Sequence, residues 1–302
     1  MFLFGPTASG KSDLAIKIAK TLSTQIISVD SSLVYREMDI GTNKPNKKIL
    51  KKIPHHLINI INPTESFSVA KFCKEIYKKL PYFFKKKKIP ILVGGSMFYF
   101  NRLLLGLSPN LPKSNEKIRN LLSKIDTNIL YKVLKKIDFC TFSKIHRNDK
   151  KRIIRAIEVY LLSGRKISSF KKEKIKKISH SIMQFGIVPK KKYLYQAIET
   201  RFYKMIDMGL EREVINLIEK YKLNKSSNSM KIIGYRQMLS YISKKIRYEE
   251  MCKNTIFANK NLIKKQMTWL KKWKNVFWIK EKDTHLQFEI FMKIYKKLLF
   301  SK

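Results

Sequence analysis

Gly5-Pro6-Thr7-Ala8-Ser9-Gly10-Lys11-Ser12 has the spacing G-x-x-x-x-G-K-S, and that spacing suits one physical task. Backbone N–H groups and a following helix N-terminus cradle a di- or triphosphate, the lysine neutralises charge, and the Ser12 hydroxyl helps hold Mg²⁺. Asp30 ends the apolar run Gln25–Val29 and has two readings. It is an acid that holds magnesium through water, or a carboxylate that faces a substrate and accepts a proton or hydrogen bond. The polar, loop-like segment Ser31-Ser32-Leu33-Val34-Tyr35-Arg36 after it suits substrate contact. A later run, Ile89–Val93, ends in Gly94-Gly95-Ser96, where an ordinary nucleotide hydrolase carries an acid. Its absence points to group transfer onto a bound acceptor. Ser96 offers either a hydroxyl to that reaction or a cap to the next helix.

Cations, amides and aromatics interleave further along. His146–Arg155 opens a helix capped by Asn148 or Asp149 and sets Arg152 and Arg155 one turn apart. Arg201, within Thr200-Arg201-Phe202, can face a crevice from an amphipathic helix. Ile233-Gly234-Tyr235-Arg236-Gln237 and Lys264-Lys265-Gln266-Met267-Thr268-Trp269-Leu270 suit stacking on unpaired bases combined with phosphate contact. The same patterns also describe a solvated helix face over core aromatics.

The charge agrees with a polyanionic partner. The chain of 302 residues carries a net +43, divided as +12 over residues 1–110 and +31 over residues 111–302. Nucleic acid is the usual partner of such a charge. Only 11 of the 65 basic residues are Arg. With Ile, Asn and Phe also abundant, part of the Lys excess reads as compositional drift, which makes the arginines the more informative cations. Cys73, Cys140 and Cys252 are scattered, which excludes a standard zinc module and fits a reducing compartment. His55-His56 reads as structural, since neighbours on a strand face opposite ways. No apolar run approaches the roughly 18 residues that cross a bilayer. Met1 leads straight into a core strand, so a cytoplasmic protein is expected.

The elements that must position these residues alternate strand and helix over the first 110 residues, the signature of an α/β parallel sheet. Met1–Phe4, Gln25–Asp30, Leu57–Ile60 and Ile89–Val93 read as strands. Helices follow the phosphate loop, with Leu14, Ile18, Ala19 and Leu22 on one face, and run over 68–86, capped by Ser68, and 97–105. Sites in such sheets form at the strands' carboxyl ends, so Lys11, Asp30 and Ser96 should share one crevice. Pro109 and Pro112 mark a change to a Lys-rich helical insertion over 113–181. Met183–Val188 reads as a strand rejoining the sheet. Helices are then expected at 194–207, stopped by Gly209 as C-cap, and at 210–221, 234–243 and 249–272.

In sum these residues resemble the bacterial tRNA dimethylallyltransferase family. The resemblance rests on Gly5–Ser12, Asp30-Ser31 through Tyr35, Met38–Thr42 with Lys44-Pro45, His55–Leu57, Gly94-Gly95, Asn148-Asp149 to Glu158, Arg201-Phe202, Gly234–Gln237, Lys265-Gln266 and Thr268–Leu270. These stand in the family's order over nearly the whole chain. The resemblance implies an α/β fold with a P-loop NTPase-like core, residues 1–112 and 182–302, and a helical insertion, 113–181, that grips the tRNA anticodon stem-loop. It implies transfer of a dimethylallyl group from dimethylallyl diphosphate to N6 of adenosine 37 in tRNAs reading codons that begin with U. The loop would hold the diphosphate, with Mg²⁺ at Ser12. Asp30 would be the general base, with Ser96 beside it in the family's threonine position, and Arg201 with Lys11 would stabilise the leaving group. The target base must leave its stack to reach the site.

The tRNA contacts it implies are Asp30 to Leu33 (with Ser31 and Ser32), Ser96, Lys151, Arg152, Ile153, Ile154, Arg155, Lys231, Ile232, Ile233, Gly234, Tyr235, Arg236, and Lys264, Lys265, Gln266, Met267, Thr268, Trp269, Leu270 and Lys271. A monomer is expected. Asn59 stands where the family often has aspartate, and Lys231, Lys260 and Lys265 where it has arginine, which loses bidentate phosphate geometry. Three rivals remain on the residues alone: a small-molecule kinase, a prenyltransferase acting on free nucleotide, and an RNA-binding protein with a vestigial loop.

Overall fold

Phe2–Phe4 carries three apolar side chains in a row, the pattern of a strand covered on both faces, and forms the fully buried strand β1. The computed structural model describes residues 1–108, 110–170 and 181–300. After the phosphate loop comes α1 (Lys11–Thr21), which buries Leu14, Ala15, Ile18 and Ala19. Then follow β2 (Ile26–Ser28), α2 (Lys47–Lys52), β3 (His55–His56), α3 (Val69–Lys85), β4 (Ile91–Gly94) and α4 (Met97–Leu105). Ser68 caps α3 as expected, its Oγ accepting from Lys71 N at 3.2 Å. The next helices are α5 (Glu116–Lys124), α6 (Thr127–Ile137), α7 (Phe139–Phe142), α8 (Lys150–Ser163) and α9 (Ile167–Phe170). The chain continues through β5 (Gln184–Ile187), α10 (Lys191–Asp207), α11 (Leu210–Tyr221), a 3₁₀ turn at Ser229–Lys231, α12 (Tyr235–Ile242), α13 (Tyr248–Leu270), β6 (Phe277–Ile279) and α14 (Thr284–Phe300).

The six strands form one sheet in the order β3-β2-β4-β1-β5-β6, with every neighbouring pair parallel. The loops after β1, β2 and β4 therefore open on the same edge, which is where Lys11, Asp30 and Ser96 were expected to meet. One core joins β1, β2, β4 and β5 to α1 and α14 through Leu3, Leu14, Ile18, Phe185 and Phe291. A second, built of Phe202, Leu210, Val214, Tyr235, Met238 and Met251, ties the helices from α10 to α13 to the Val34–Met38 segment. No helix among the described residues is long and apolar enough to cross a membrane.

By packing, the chain divides into two compact units, Met1–Asn101 with His180–Lys302, and Arg102–Ser179. The first break thus precedes the expected one at Pro112. Pro109 and residues 171–180 of the expected insertion lie outside the described residues. The smaller unit packs α5, α6 and α8 on Leu122, Leu130, Leu134, Ile153 and Ile157. Its buried Glu158 accepts from Asn115 N at 2.7 Å, Arg119 at 3.0 Å and Arg155 at 2.6 Å. Asp149, one of the two expected caps, takes Arg152 N at 3.2 Å.

Three local expectations are corrected. The strand placed at Leu57–Ile60 lies at His55–His56, because Leu57 and Asn59 have φ of 63° and 56°, which no strand accommodates. Gly209, expected as the C-cap of α10, stands one residue past the actual C-cap Met208; at φ 91° it is the left-handed glycine that stops α10, and it leads into α11. The Phe277–Ile279 strand and the α14 helix carry no expected counterpart. Phe277 and Trp278 are exposed at the sheet's edge, so their run lacks the uniform burial that marks β1.

Candidate active site

The phosphate loop is set by backbone conformations that few residues accept. Ala8 has φ 63°, and Gly10, at φ 82°, turns the chain into α1 so that the helix N-terminus faces the loop. The loop is braced from distant parts of the chain. Gln266 of α13 accepts from Thr7 N at 2.9 Å and donates to Gly95 O at 3.0 Å, bridging the loops after β1 and β4. Gln287 of α14, fully buried, donates to Ser9 O at 3.1 Å. Arg201 of α10 donates to Thr7 Oγ1 at 2.7 Å. Lys11 Nζ donates to Pro6 O at 3.0 Å. Burial pushes the Lys11 ammonium down to about 8, against the pull of Asp30 and with the push of Arg201. Burial also lowers Arg201, again opposed by Asp30.

These residues line one cavity of about 550 Å³, shared by Thr7, Lys11, Ser12, Asp30, Ser96 and Arg201. Asp30 lies two residues past β2, and its Oδ1 accepts from Ser32 N at 2.8 Å and Ser32 Oγ at 2.6 Å, which orients the carboxylate. Ser96 stands at the N-terminal end of α4, its carbonyl accepting from Tyr99 N at 2.8 Å, while its side chain is on the cavity wall. The loop after β4 can lie this close only without side chains. A Cβ on Gly94 would stand 2.0 Å from Val29 O, and one on Gly95 2.5 Å from Gln266 Nε2. The site thus sets two cations and one carboxylate around a single space. It can hold a polyanionic leaving group at one side and take a proton at the other.

The far wall depends on a residue that sequence reading passed over. Glu213 of α11 accepts from Asp39 N at 2.8 Å, Ile40 N at 2.7 Å, Gly41 N at 3.2 Å and Tyr235 OH at 2.6 Å. It holds the turn that carries Gly41 and Thr42 into the cavity. In the sequence it is one more acid near a helix start. Lys44, lowered by burial, completes this corner by donating to Tyr35 O at 2.8 Å and Asn59 Oδ1 at 2.6 Å. Each ring of the His55-His56 pair is hydrogen-bonded, to Ile53 O and Gln25 Oε1, at 2.7 Å, and His55 also lines the cavity.

The residues expected to meet RNA divide by burial. Ser31, Lys151, Arg152, Lys231, Arg236, Lys264, Lys265, Thr268, Trp269 and Lys271 are exposed. Ser32, Leu33, Ser96, Ile232 and Ile233 line the cavity with Asp30, and Met267 is half-buried. Ile153, Ile154, Gly234, Tyr235 and Leu270 are buried, and Gln266 turns inward to the phosphate loop, so their side chains support the surface and do not form it. Arg155 is committed to Glu158 and to Pro112 O at 2.6 Å. The reason is common to all six helical positions. A cationic helix alternates outward and inward positions within one turn, and a contiguous segment cannot lie wholly on one face.

Mg²⁺ asks for oxygen ligands and keeps several waters beside one or two protein groups and substrate phosphates. The Ser12 hydroxyl and the Asp30 carboxylate on the cavity wall fit that set. No cluster of three His, Cys, Asp or Glu that could hold a metal without a substrate occurs among the described residues.

Known proteins share both the sequence and the fold of this chain. A family model described as IPP transferase matches residues 33–273. The chain is 47% identical over 279 residues to the tRNA dimethylallyltransferase of Buchnera aphidicola subsp. Acyrthosiphon pisum (strain APS), covering 91% of this chain and 88% of that one. To the tRNA dimethylallyltransferase of Wigglesworthia glossinidia brevipalpis it is 45% identical over 302 residues, covering 98% and 94%. The crystal structure of a tRNA isopentenylpyrophosphate transferase from Bacillus halodurans superposes with a TM-score of 0.72 at 29% identity, covering 99% and 94% of the two chains. A eukaryotic dimethylallyltransferase acting on tRNA superposes at 0.79 and 26% identity, covering 92% and 73%. The parallel sheet with its loop and helices is the α/β, P-loop NTPase-like fold. The chain belongs to the IPP transferase family.

Proposed function

We propose that this protein transfers a dimethylallyl group from dimethylallyl diphosphate to N6 of adenosine 37 in tRNAs reading codons that begin with U, releasing diphosphate. The observation that carries the reading is the single cavity in which Lys11 and Arg201 stand with the Asp30 carboxylate. The exocyclic amine of adenine is a weak nucleophile, because its lone pair is delocalised into the ring. As N6 bonds to the allylic carbon, the C–O bond to diphosphate breaks and the amine becomes acidic. Asp30 takes the N6 proton. Lys11, Arg201 and the backbone N–H groups of Gly5–Ser12 hold the negative charge that develops on the departing diphosphate. Magnesium, when bound, adds charge neutralisation at the diphosphate, and Ser12 would hold it. The role of Ser96 is to offer its hydroxyl to the adenine beside Asp30.

The exposed Lys151 and Arg152 of the helical unit, together with Lys231, Arg236, Lys264 and Lys265, support backbone contacts to the anticodon stem-loop. The protein acts as a monomer in the cytoplasm. Incubation with tRNA, labelled dimethylallyl diphosphate and Mg²⁺ tests the reading, with label expected in N6-isopentenyladenosine. Absence of label from tRNA with folded protein overturns it. Label appearing in AMP and not in tRNA would assign the free nucleotide as acceptor.

A further inference from the structure

We propose that the groove between α12 and α13 holds the base of an unpaired nucleotide next to the adenosine that enters the central cavity, with the ring of Phe257 as its stacking surface. This rests on the tRNA-prenylation reading above. The groove encloses about 520 Å³. Phe257 stands in it 64% exposed, and no ring or cation among the described residues packs against it. A phenylalanine left this open forgoes the roughly 1.5–3 kcal/mol that burial would return. Every base has a π-face that such a ring can take.

The surroundings of the ring have the chemistry of a nucleotide. Asn254 and Asn261 lie three residues before and four after Phe257, so one stripe of α13 carries an amide, a ring and an amide in succession. Amides supply both a donor and an acceptor to a base edge. Arg236 from α12 and Lys265 from α13 add positive charge to the lining, and no carboxylate lines the groove. That combination suits a phosphate-linked base. It does not suit a second copy of this strongly basic chain, whose own charge of +43 would oppose approach.

Position ties the groove to the reaction. Ile233 and Leu262 line both this groove and the central cavity, so the two spaces stand back to back across one pair of side chains. A strand that sends one base into the cavity brings its neighbour to the groove. The Phe257 subsite would thus read the loop flanking the target and help keep the target base out of its stack.

The test measures affinity and steady-state prenylation with anticodon stem-loops that carry an abasic site immediately 5′ or immediately 3′ of the target adenosine. Phe257→Ala is expected to weaken binding of the unmodified stem-loop about tenfold, the scale of one base–aromatic stack. KM for dimethylallyl diphosphate should be unchanged, and Phe257→Tyr should restore affinity. One of the two abasic stem-loops should bind wild type about tenfold more weakly and should lose nothing further with Phe257→Ala. Equal tRNA affinity for wild type and Phe257→Ala, or undiminished losses on both abasic stem-loops, overturns the proposal. So does self-association of the wild type that Phe257→Ala abolishes, which would make the ring a contact between copies. If wild type transfers no label to any stem-loop, the prenylation reading itself fails. Transfer without coupling defeats only the subsite.

Discussion

Replacing Lys11 by methionine separates what the phosphate loop does for binding from what its charge costs the fold. Burial holds the folded Lys11 at about 8, against an ordinary 10.5. Each pKa unit is worth about 1.4 kcal/mol, so keeping this group charged at pH 7 costs roughly 3 kcal/mol. Methionine is of similar length and uncharged. It leaves Pro6 O without the donor that stands 3.0 Å away, at a cost of about 1 kcal/mol. The net gain of about 2 kcal/mol raises the melting temperature by about 3 °C in a chain of this size. Between about 8 and 10.5 the unfolded lysine keeps a proton that the folded one has released. Wild-type stability therefore rises with pH through that window, relative to the variant, and the gap between them closes. Thermal melts of both proteins from pH 7 to pH 10, with and without inorganic pyrophosphate, check this. Pyrophosphate should stabilise only the wild type. If Lys11→Met melts below wild type at pH 7, with a gap that stays constant to pH 10, the buried-charge reasoning is wrong.

Asp30→Asn should lower the transfer rate by about 10²–10⁴-fold, the scale of a lost general base, while tRNA affinity in a filter-binding assay stays within a few-fold. Glu158→Gln should destabilise the helical unit by about 2 kcal/mol, read as faster proteolysis of residues 116–163, because Arg119 and Arg155 lose their common carboxylate. Burial raises the Glu158 carboxyl, and the hydrogen bonds from Arg119, Arg155 and Asn115 N outweigh it and hold it below its ordinary value. Its stabilisation is therefore present above the ordinary carboxylate range and lost as pH falls through the lowered value, which acid titration of wild type against Glu158→Gln would register. Gly94→Ala should yield no soluble folded protein, since its Cβ would meet backbone at Val29 O. Gly95→Ala meets the end of the Gln266 side chain at 2.5 Å and Gly5 O at 3.3 Å, a contact that a few tenths of an ångström relieve, and should fold, with KM for dimethylallyl diphosphate raised as Gln266 leaves Thr7 N.

Much of what the sequence determined by itself is local. A phosphate loop between an apolar strand and an amphipathic helix is legible because each part follows from residue types within a few positions. The Ser68 and Asp149 caps are legible for the same reason, as an oxygen three residues before a free N–H. The convergence of Lys11, Asp30 and Ser96 also followed, because parallel strands must present their carboxyl ends on one edge. Only the tertiary structure decided what stands behind them. Gln266 is 259 residues from Thr7, Arg201 is 194 from it, and Glu213 is 174 from Asp39, and no spacing rule connects such pairs. Burial divided the cationic segments in the same way. Trp269 and Lys265 face outward while Gln266 and Leu270, one residue from each, face in. A helix turns about 100° per residue, so local composition states what a segment carries, and packing alone states which side chain meets solvent.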